Sequence, residues 1–342
     1  MSSDRIATDA DICLPGGVPA SIASGRTTPL GGGDRGAEDT RPRMAAGIDF
    51  TAEQIHHSAC QICGGPIGLL FEKTTRTATF SIVRCADCGF AFVNPTPSED
   101  AIVAFYTQAG CQENSLLSLD AVTEAERIDP ITSREAKRIV GRMRDATRGR
   151  RFLDVGCGYG QFSAEARRHG FSVDVIEVAA TERTIATELL GFAPTAVTFE
   201  CHQADHAYDA ILMSHVLEHS REPVKWLRKA ASLLSDGGIA AIAVPNFGSI
   251  VTDVLGKNDP FVTPPAHLNY FAPRNLARAA EVAGLRMLRV ETVTYIPKRS
   301  FSRRLGRAAG LASHRLFHTV ASPVLDGMKK GTVLNMYLGR AA

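Results

Sequence analysis

The chain has 342 residues, 44% hydrophobic and 22% charged, which is longer than one domain usually needs and enough apolar material for a sizeable core. Its formal net charge of +2 excludes a surface basic enough throughout to bind nucleic acid, and no apolar run reaches the roughly 18 to 20 residues of a membrane-spanning helix. Eight cysteines, with no apolar leader in the first 30 residues, lead us to expect reduced thiols and a cytoplasmic setting.

Residues 1–45 are rich in Gly, Ser, Thr, Asp and Arg, with a Gly31-Gly32-Gly33 run. They bury too little to offset chain entropy, and a disordered tail is expected. Residues 55–97 change to paired cysteines set in short β-like runs, Ala78 to Val83 and Phe90 to Val93, and read as a small module. Residues 98–150 carry helical patterning, clearest from Arg134 to Met143, where Ile139 and Met143 stand one turn apart; they predict a helical connector. From Arg151 to the end, 151–342, apolar runs alternate with helix-like segments, the sequence sign of a parallel α/β sheet. Phe152–Val155, Ser172–Val178, Asp209–Met213, Ile239–Val244, Met287–Thr294 and Thr332–Leu338 read as its strands, with Gln161–Arg168 the helix after the first. The last run follows the turn Lys329-Lys330-Gly331 and suits an antiparallel strand at the far end of the sheet.

Cys60 and Cys63 form one C-x2-C, Cys85 and Cys88 another, with 21 residues between the pairs. Each short knuckle presents both sulfurs on one side, so two knuckles can surround one tetrahedral ion. Zinc is expected here over an iron-sulfur cluster, because separate knuckles closing a β-rich ribbon suit a redox-silent ion. Four protein ligands leave no open position for a substrate, so the expected role of the metal is structural.

The stretch Asp154-Val155-Gly156-Cys157-Gly158-Tyr159-Gly160 follows a strand and opens a helix. Glycines at 156, 158 and 160 let the backbone turn sharply and approach a ligand, while the helix start offers free N–H groups. Glu177, at the end of the next strand, is placed to hold the hydroxyls of a ribose. The third glycine comes two residues after the second, one fewer than in the dinucleotide fingerprint, which weakens the case for a pyrophosphate. His215 and His219 lie just past the Asp209–Met213 strand, where the carboxyl ends of parallel strands form the ligand crevice.

These residues resemble the class I S-adenosylmethionine-dependent methyltransferases. The resemblance rests on Asp154 to Gly160 and continues in Tyr208-Asp209-Ala210-Ile211, His215-Val216-Leu217-Glu218-His219 and Leu234-Ser235-Asp236-Gly237-Gly238. It implies an α/β, Rossmann-like methyltransferase sheet of seven strands, the last antiparallel, with a small N-terminal zinc ribbon and a helical connector. It also implies that S-adenosylmethionine is the cofactor, that Asp154 supports the loop, that Gly156, Gly158 and Gly160 line it, and that Glu177 takes the ribose. The acidic residue that commonly holds the adenine in this class has only Glu200 or Asp205 as candidates here. Related enzymes are similar in a His-x-x-Tyr-Phe stretch facing the acceptor, which makes His267 the expected general base.

Histidine suits that task because its ordinary pKa of about 6.5 allows proton uptake near neutrality. A buried imidazole that anchors a loop is the competing reading for both His219 and His267. A metal at His215 and His219 lacks a third ligand in the sequence, and His-x-x-Glu-His is not the zinc-protease pattern.

The cysteine ribbon fused to such a body resembles bacterial enzymes of sugar, polysaccharide and secondary-metabolite pathways. The resemblance implies O-methylation of a saccharide or glycolipid hydroxyl, with a quinone or other small-molecule hydroxyl as the alternative. Between Cys60 and Cys88, Lys73, Arg76 and Arg84 stand against Glu72 and Asp87, with Phe71 and Phe80 the only aromatics, so an RNA-binding zinc module is the weaker reading. Residues 298–330 hold eight Lys or Arg against Asp326, in a pattern that puts Phe301, Leu305, Leu316 and Val320 on one helical face. They are expected to form a basic amphipathic insert, either packed on the body or resting peripherally on an anionic membrane.

Overall fold

The computed structural model describes residues 48–75, 78–107, 116, 118–295 and 316–341. The tail expected over 1–45 and most of the basic insert lie outside the described residues.

The ribbon begins with β1 (Ile67–Thr74), β2 (Thr79–Cys85) and β3 (Ala91–Val93), an antiparallel meander. Its knuckles turn at Gly64 and Gly89, whose φ values of +72° and +74° are left-handed and favour a residue without Cβ. Three helices follow: α1 (Glu99–Thr107), α2 (Leu119–Ile128) and α3 (Ile131–Ala146). Ser118 caps α2 by accepting from the Ala121 N–H, and α3 buries Ala136, Ile139, Val140 and Met143 at helical spacing.

The main sheet has six strands: β4 (Arg151–Val155), β5 (Ser172–Ile176), β6 (Tyr208–Ser214), β7 (Leu234–Pro245), β9 (Leu285–Val293) and β10 (Val333–Arg340). Their order is β5-β4-β6-β7-β10-β9, with β5, β4, β6 and β7 mutually parallel and β10 antiparallel to both neighbours. Among the described residues the seventh strand is reduced to a single parallel bridge, Ile176 to Thr195. Pro194 precedes it and has no N–H for a ladder. Strand β7 starts at Leu234, before the Asp236-Gly237-Gly238 turn from which the sequence reading starts it, and absorbs that turn through a register shift opposite Tyr208 and Ala210.

Helices cover both faces. On one side α3 and α4 (Gln161–Arg168) pack Ile139, Val140, Met143 and Phe162 against Phe152, Leu212 and Ala241, and α5 (Ala180–Leu190) extends this layer. On the other, α6 (Pro223–Leu233) and α8 (Pro273–Val282) pack Leu227, Ala230, Leu276 and Ala280 against Leu153, Ile211 and Ile242. Between β7 and α8 lie the short α7 (Ile250–Leu255) and β8 (Asn269–Tyr270). After the undescribed part of the basic insert, Phe317–Ala321 form a π-type turn leading into α9 (Ser322–Gly327), with Leu316, Val320 and Val324 exposed.

The ribbon is not a separate body. Strand β8 belongs to the methyltransferase-like half of the chain, yet it pairs with β3 and completes a four-stranded sheet in the order β1-β2-β3-β8. Phe90 stacks on Phe92 at 5.3 Å and on Phe271 at 5.2 Å, joining the cysteine knuckles to the core beneath the main sheet. Among the described residues no helix is long and apolar enough to cross a membrane.

Candidate active site

Sheet order reverses at β4, which has β5 on one side and β6 on the other, so the loops after β4 and β6 flank the crevice where ligands of such sheets bind. The loop after β4 is the glycine turn. Gly156, Gly158 and Gly160 all take left-handed φ, at +66°, +54° and +83°. A Cβ on Gly156 would lie 2.8 Å from Val216 Cγ2, so the turn after β6 packs directly on this loop, whereas a Cβ on Gly158 would meet open space. Asp154 is buried and accepts from Ser163 Oγ at 2.6 Å, tying β4 to α4. Burial pushes its carboxyl up to about 7, against the hydrogen bond from Ser163.

Glu177 stands at the foot of the same crevice. Its Oε2 accepts from the Gly158 N–H and its Oε1 from the Ala179 N–H, both at 2.9 Å, which fixes the carboxylate against the glycine turn. Burial raises its pKa, and the two amides pull the other way. Each oxygen keeps a second lone pair for a ligand hydroxyl. Beside Tyr159 and Gln161 opens a cavity of about 360 Å³, walled by Leu116 and by Val122, Ala125 and Glu126 of α2. The Tyr159 hydroxyl accepts from the Leu116 N–H at 2.7 Å.

After β6 the chain enters a turn that gathers titratable groups. His215 has φ +56°, a strained conformation for a residue with a Cβ, held by its N–H donating to Ala243 O at 2.8 Å. Its side chain is 38% exposed, and its Nδ1 lies 3.4 Å from Glu218 Oε1. Glu218 is 1% exposed, and among the described residues neither of its oxygens has an aligned hydrogen-bond donor. Burial alone would raise the Glu218 pKa, but His215, His219 and His267 hold it down to about 2. For His215, burial lowers the pKa, yet Glu218 and then Glu135 outweigh it and leave it above the ordinary value.

His219 occupies a different environment. Its Nδ1 is 2.7 Å from Ala266 O and 2.8 Å from the Tyr106 hydroxyl, and its Nε2 is 3.0 Å from His215 O. Carbonyl oxygens only accept, so a ring nitrogen that carries the proton donates to the carbonyl it faces. His267 donates from Nδ1 to Phe261 O at 2.7 Å and packs beside the His219 ring at 5.1 Å. Burial and the neighbouring His219 push it down to about 4. Donor atoms of Glu218, His219 and His267 lie within 4.8 Å of one another. Both His219 nitrogens face backbone carbonyls at hydrogen-bond distance, so the ring is engaged by the backbone, and the trio reads as a buried carboxylate with a hydrogen-bonded histidine beside it.

The four cysteines converge. Cys60 and Cys88 sulfurs are 3.6 Å apart, Cys63 and Cys85 sulfurs 3.5 Å, and all four lie within 4.8 Å of one another. A tetrahedral zinc with ~2.3 Å bonds to sulfur sets the sulfurs about 3.8 Å apart, so the donor set fits that ion.

Sequence reasoning singled out His215, His219 and His267 but missed Glu218, Tyr106 and Asn269. Asn269 donates from Nδ2 to Ser220 O at 2.5 Å and reaches Leu217 O and Glu218 O at 3.5 and 3.4 Å, clamping the turn from β8. An acid between two histidines was visible in the sequence; its burial was not. Of the adenine candidates, Glu200 accepts from Trp226 Nε1 at 2.5 Å and Asp205 pairs with His206 at 2.6 Å, so both side chains already have partners.

A family model described as a methyltransferase domain matches residues 126–290. The chain is similar to the ubiquinone biosynthesis O-methyltransferase of Caulobacter sp. (strain K31), 31% identical over 115 residues, which span 31% of this chain and 45% of that protein. It is similar as well to the protein of the same name from Coxiella burnetii, 24% identical over 162 residues, 44% of this chain and 69% of that one. Its fold overlaps that of the 1,6-didemethyltoxoflavin-N1-methyltransferase of Burkholderia thailandensis with a TM-score of 0.48 and 15% identity, covering 75% of this chain and 98% of the other.

Proposed function

Given that the chain carries a class I S-adenosylmethionine-dependent methyltransferase domain, we propose that it methylates a hydroxyl oxygen of a small quinol-like or phenolic acceptor, with His215 as the general base. The names of the Caulobacter and Coxiella relatives, ubiquinone biosynthesis O-methyltransferases, support this acceptor class over the saccharide hydroxyl expected from the ribbon. A cavity of about 360 Å³ beside the glycine turn is in the size range of small-molecule sites.

The cofactor supplies, when bound, a methyl group on a positively charged sulfur that an acceptor oxygen can displace in line. The residues present fit it: an open approach at Gly158, and Glu177 fixed against the same turn with lone pairs to spare. What the chain adds is alignment and proton removal. His215 would take the acceptor's proton as its oxygen displaces the methyl group from the sulfur, leaving the methyl ether, the neutral demethylated thioether of the cofactor, and a protonated imidazole that then gives its proton to water.

The observation that carries the choice of base is the position of His215. It is partly exposed at the carboxyl end of β6, in a strained backbone, one residue before the Val216 that touches Gly156. His267, the base expected from the sequence, has Nδ1 committed to Phe261 O and a pKa near 4, which makes it a weak proton acceptor. We further propose zinc at Cys60, Cys63, Cys85 and Cys88 on the fit of their sulfurs.

The test is methyl transfer to a catechol, a hydroquinone and a free sugar, by wild type and His215→Asn. The reading expects transfer to the aromatic hydroxyls and a loss of about 100-fold or more in kcat for the variant. Transfer to the sugar alone would overturn the acceptor, and full turnover by His215→Asn would overturn the base.

A further inference from the structure

A carboxylate taken out of water with no hydrogen-bond donor costs several kcal/mol unless a charge or a task compensates it. Glu218 is such a group. It is 1% exposed and both oxygens lack aligned donors among the described residues, yet its backbone carbonyl is held from the β8 segment. Leu268 N–H donates to its carbonyl at 2.9 Å, and Asn269 Nδ2 lies 3.4 Å from the same oxygen. The fold thus fixes this residue while leaving its side-chain oxygens unused. The nearest polar atom identified is His215 Nδ1 at 3.4 Å, within ion-pair range but not aligned as a hydrogen bond. Polar contacts in catalytic sites are often long before the reactants bind and tighten afterwards.

We propose that Glu218 is a positioning residue for the transfer: its buried carboxylate takes the Nδ1–H of His215, which leaves the lone pair of Nε2 for the acceptor proton. The inference rests on His215 being the base. Three observations lead to it. His215 keeps a strained left-handed backbone, φ +56°, at the end of β6 and places its Nδ1 3.4 Å from Glu218 Oε1. His219 has both ring nitrogens against backbone carbonyls, 2.7 Å from Ala266 O and 3.0 Å from His215 O, so it is not turned toward an acceptor and His215 is the ring left to serve one. The groups acting electrostatically on His215 are Glu218 on its own turn and Glu135 of α3, while His219 and His267 act on Glu218 from the other side. As the transferred proton arrives on Nε2, the cation that forms sits against a fixed negative charge.

Two readouts test this. In the cofactor-free protein, NMR titration of ring-labelled histidine should place the His215 midpoint above about 6.5 and show a proton on Nδ1 in the neutral form. Glu218→Gln should lower that midpoint by about 1 unit or more, because it removes an opposite charge at close range. The acid limb of the kcat profile should move with it, and Glu218→Asp should restore part of the shift. In the double variant with His215→Asn, Glu218→Gln should cost nothing further in kcat.

A wild-type midpoint at or below about 6.5, or a neutral ring protonated on Nε2, overturns the proposal without any substitution, so a poorly folded Glu218→Gln leaves it falsifiable. An unmoved midpoint in a folded Glu218→Gln overturns it too. Full turnover by His215→Asn instead sinks the choice of base, whatever the midpoint does, so the two failures are distinguishable.

Discussion

His267 shows how position changes a side chain's chemistry. In the sequence it is an imidazole with an ordinary pKa near 6.5 in a stretch similar to an acceptor-facing motif. In the fold it is pressed between Phe261 and His219, and burial and the neighbouring histidine hold its pKa near 4. The folded state therefore rejects a proton that the unfolded chain accepts. Its contribution to stability is full above pH 6.5 and is lost as pH falls from there through 4. Asp154 and Glu177, whose pKa values are raised, act in the opposite direction, so the contribution is read as a difference. The melting-temperature gap between wild type and His267→Gln should narrow steadily from pH 7 to 4.5; a gap constant across that range contradicts the buried neutral ring.

At this scale legibility followed locality. Asp154, the three glycines and Glu177 could be read because a strand-to-helix turn needs left-handed residues at fixed offsets. Glu218 could not, because its surroundings come from His267, 49 positions away in the chain, and from Asn269 of β8, which reaches its backbone carbonyl.

Among elements, β8 has the largest consequence for its size. It is two residues long, too short to show any period, so nothing in the sequence announced it. It nevertheless pairs with β3 of the ribbon, while Asn269 within it holds the turn that carries Glu218. The ribbon therefore supports the crevice mechanically. Structural zinc in isolated small modules contributes roughly 10 to 16 kcal/mol of apparent folding free energy. In the proposed zinc-bound form, part of that support would pass through β8 to the turn after β6. With zinc bound as proposed, Cys85→Ser, or chelation of the intact protein, should lower the melting temperature by about 10 °C or more and reduce methyl transfer together with it. Stability and transfer both unchanged under chelation would contradict this coupling.

The missing seventh strand has the reverse lesson. A family pattern implied it, but among the described residues the segment after Pro194 makes one bridge, at Thr195, and the sheet ends at β5.

Across the whole molecule, alternating strand and helix signals were enough to read the parallel sheet, because its inner parallel strands β4, β6 and β7 are largely buried and mostly apolar. The joining of ribbon and sheet into one core was not readable, since Phe90, Phe92 and Phe271 meet only after the two halves fold together. The account as a whole depends on the crevice between β4 and β6 holding the methyl donor. Isothermal titration of the intact chain with S-adenosylhomocysteine measures this most directly. One binding site is predicted, abolished by Gly156→Val, whose side chain would meet Val216 at a φ of +66°. A folded wild-type protein that takes up neither S-adenosylhomocysteine nor S-adenosylmethionine would contradict it.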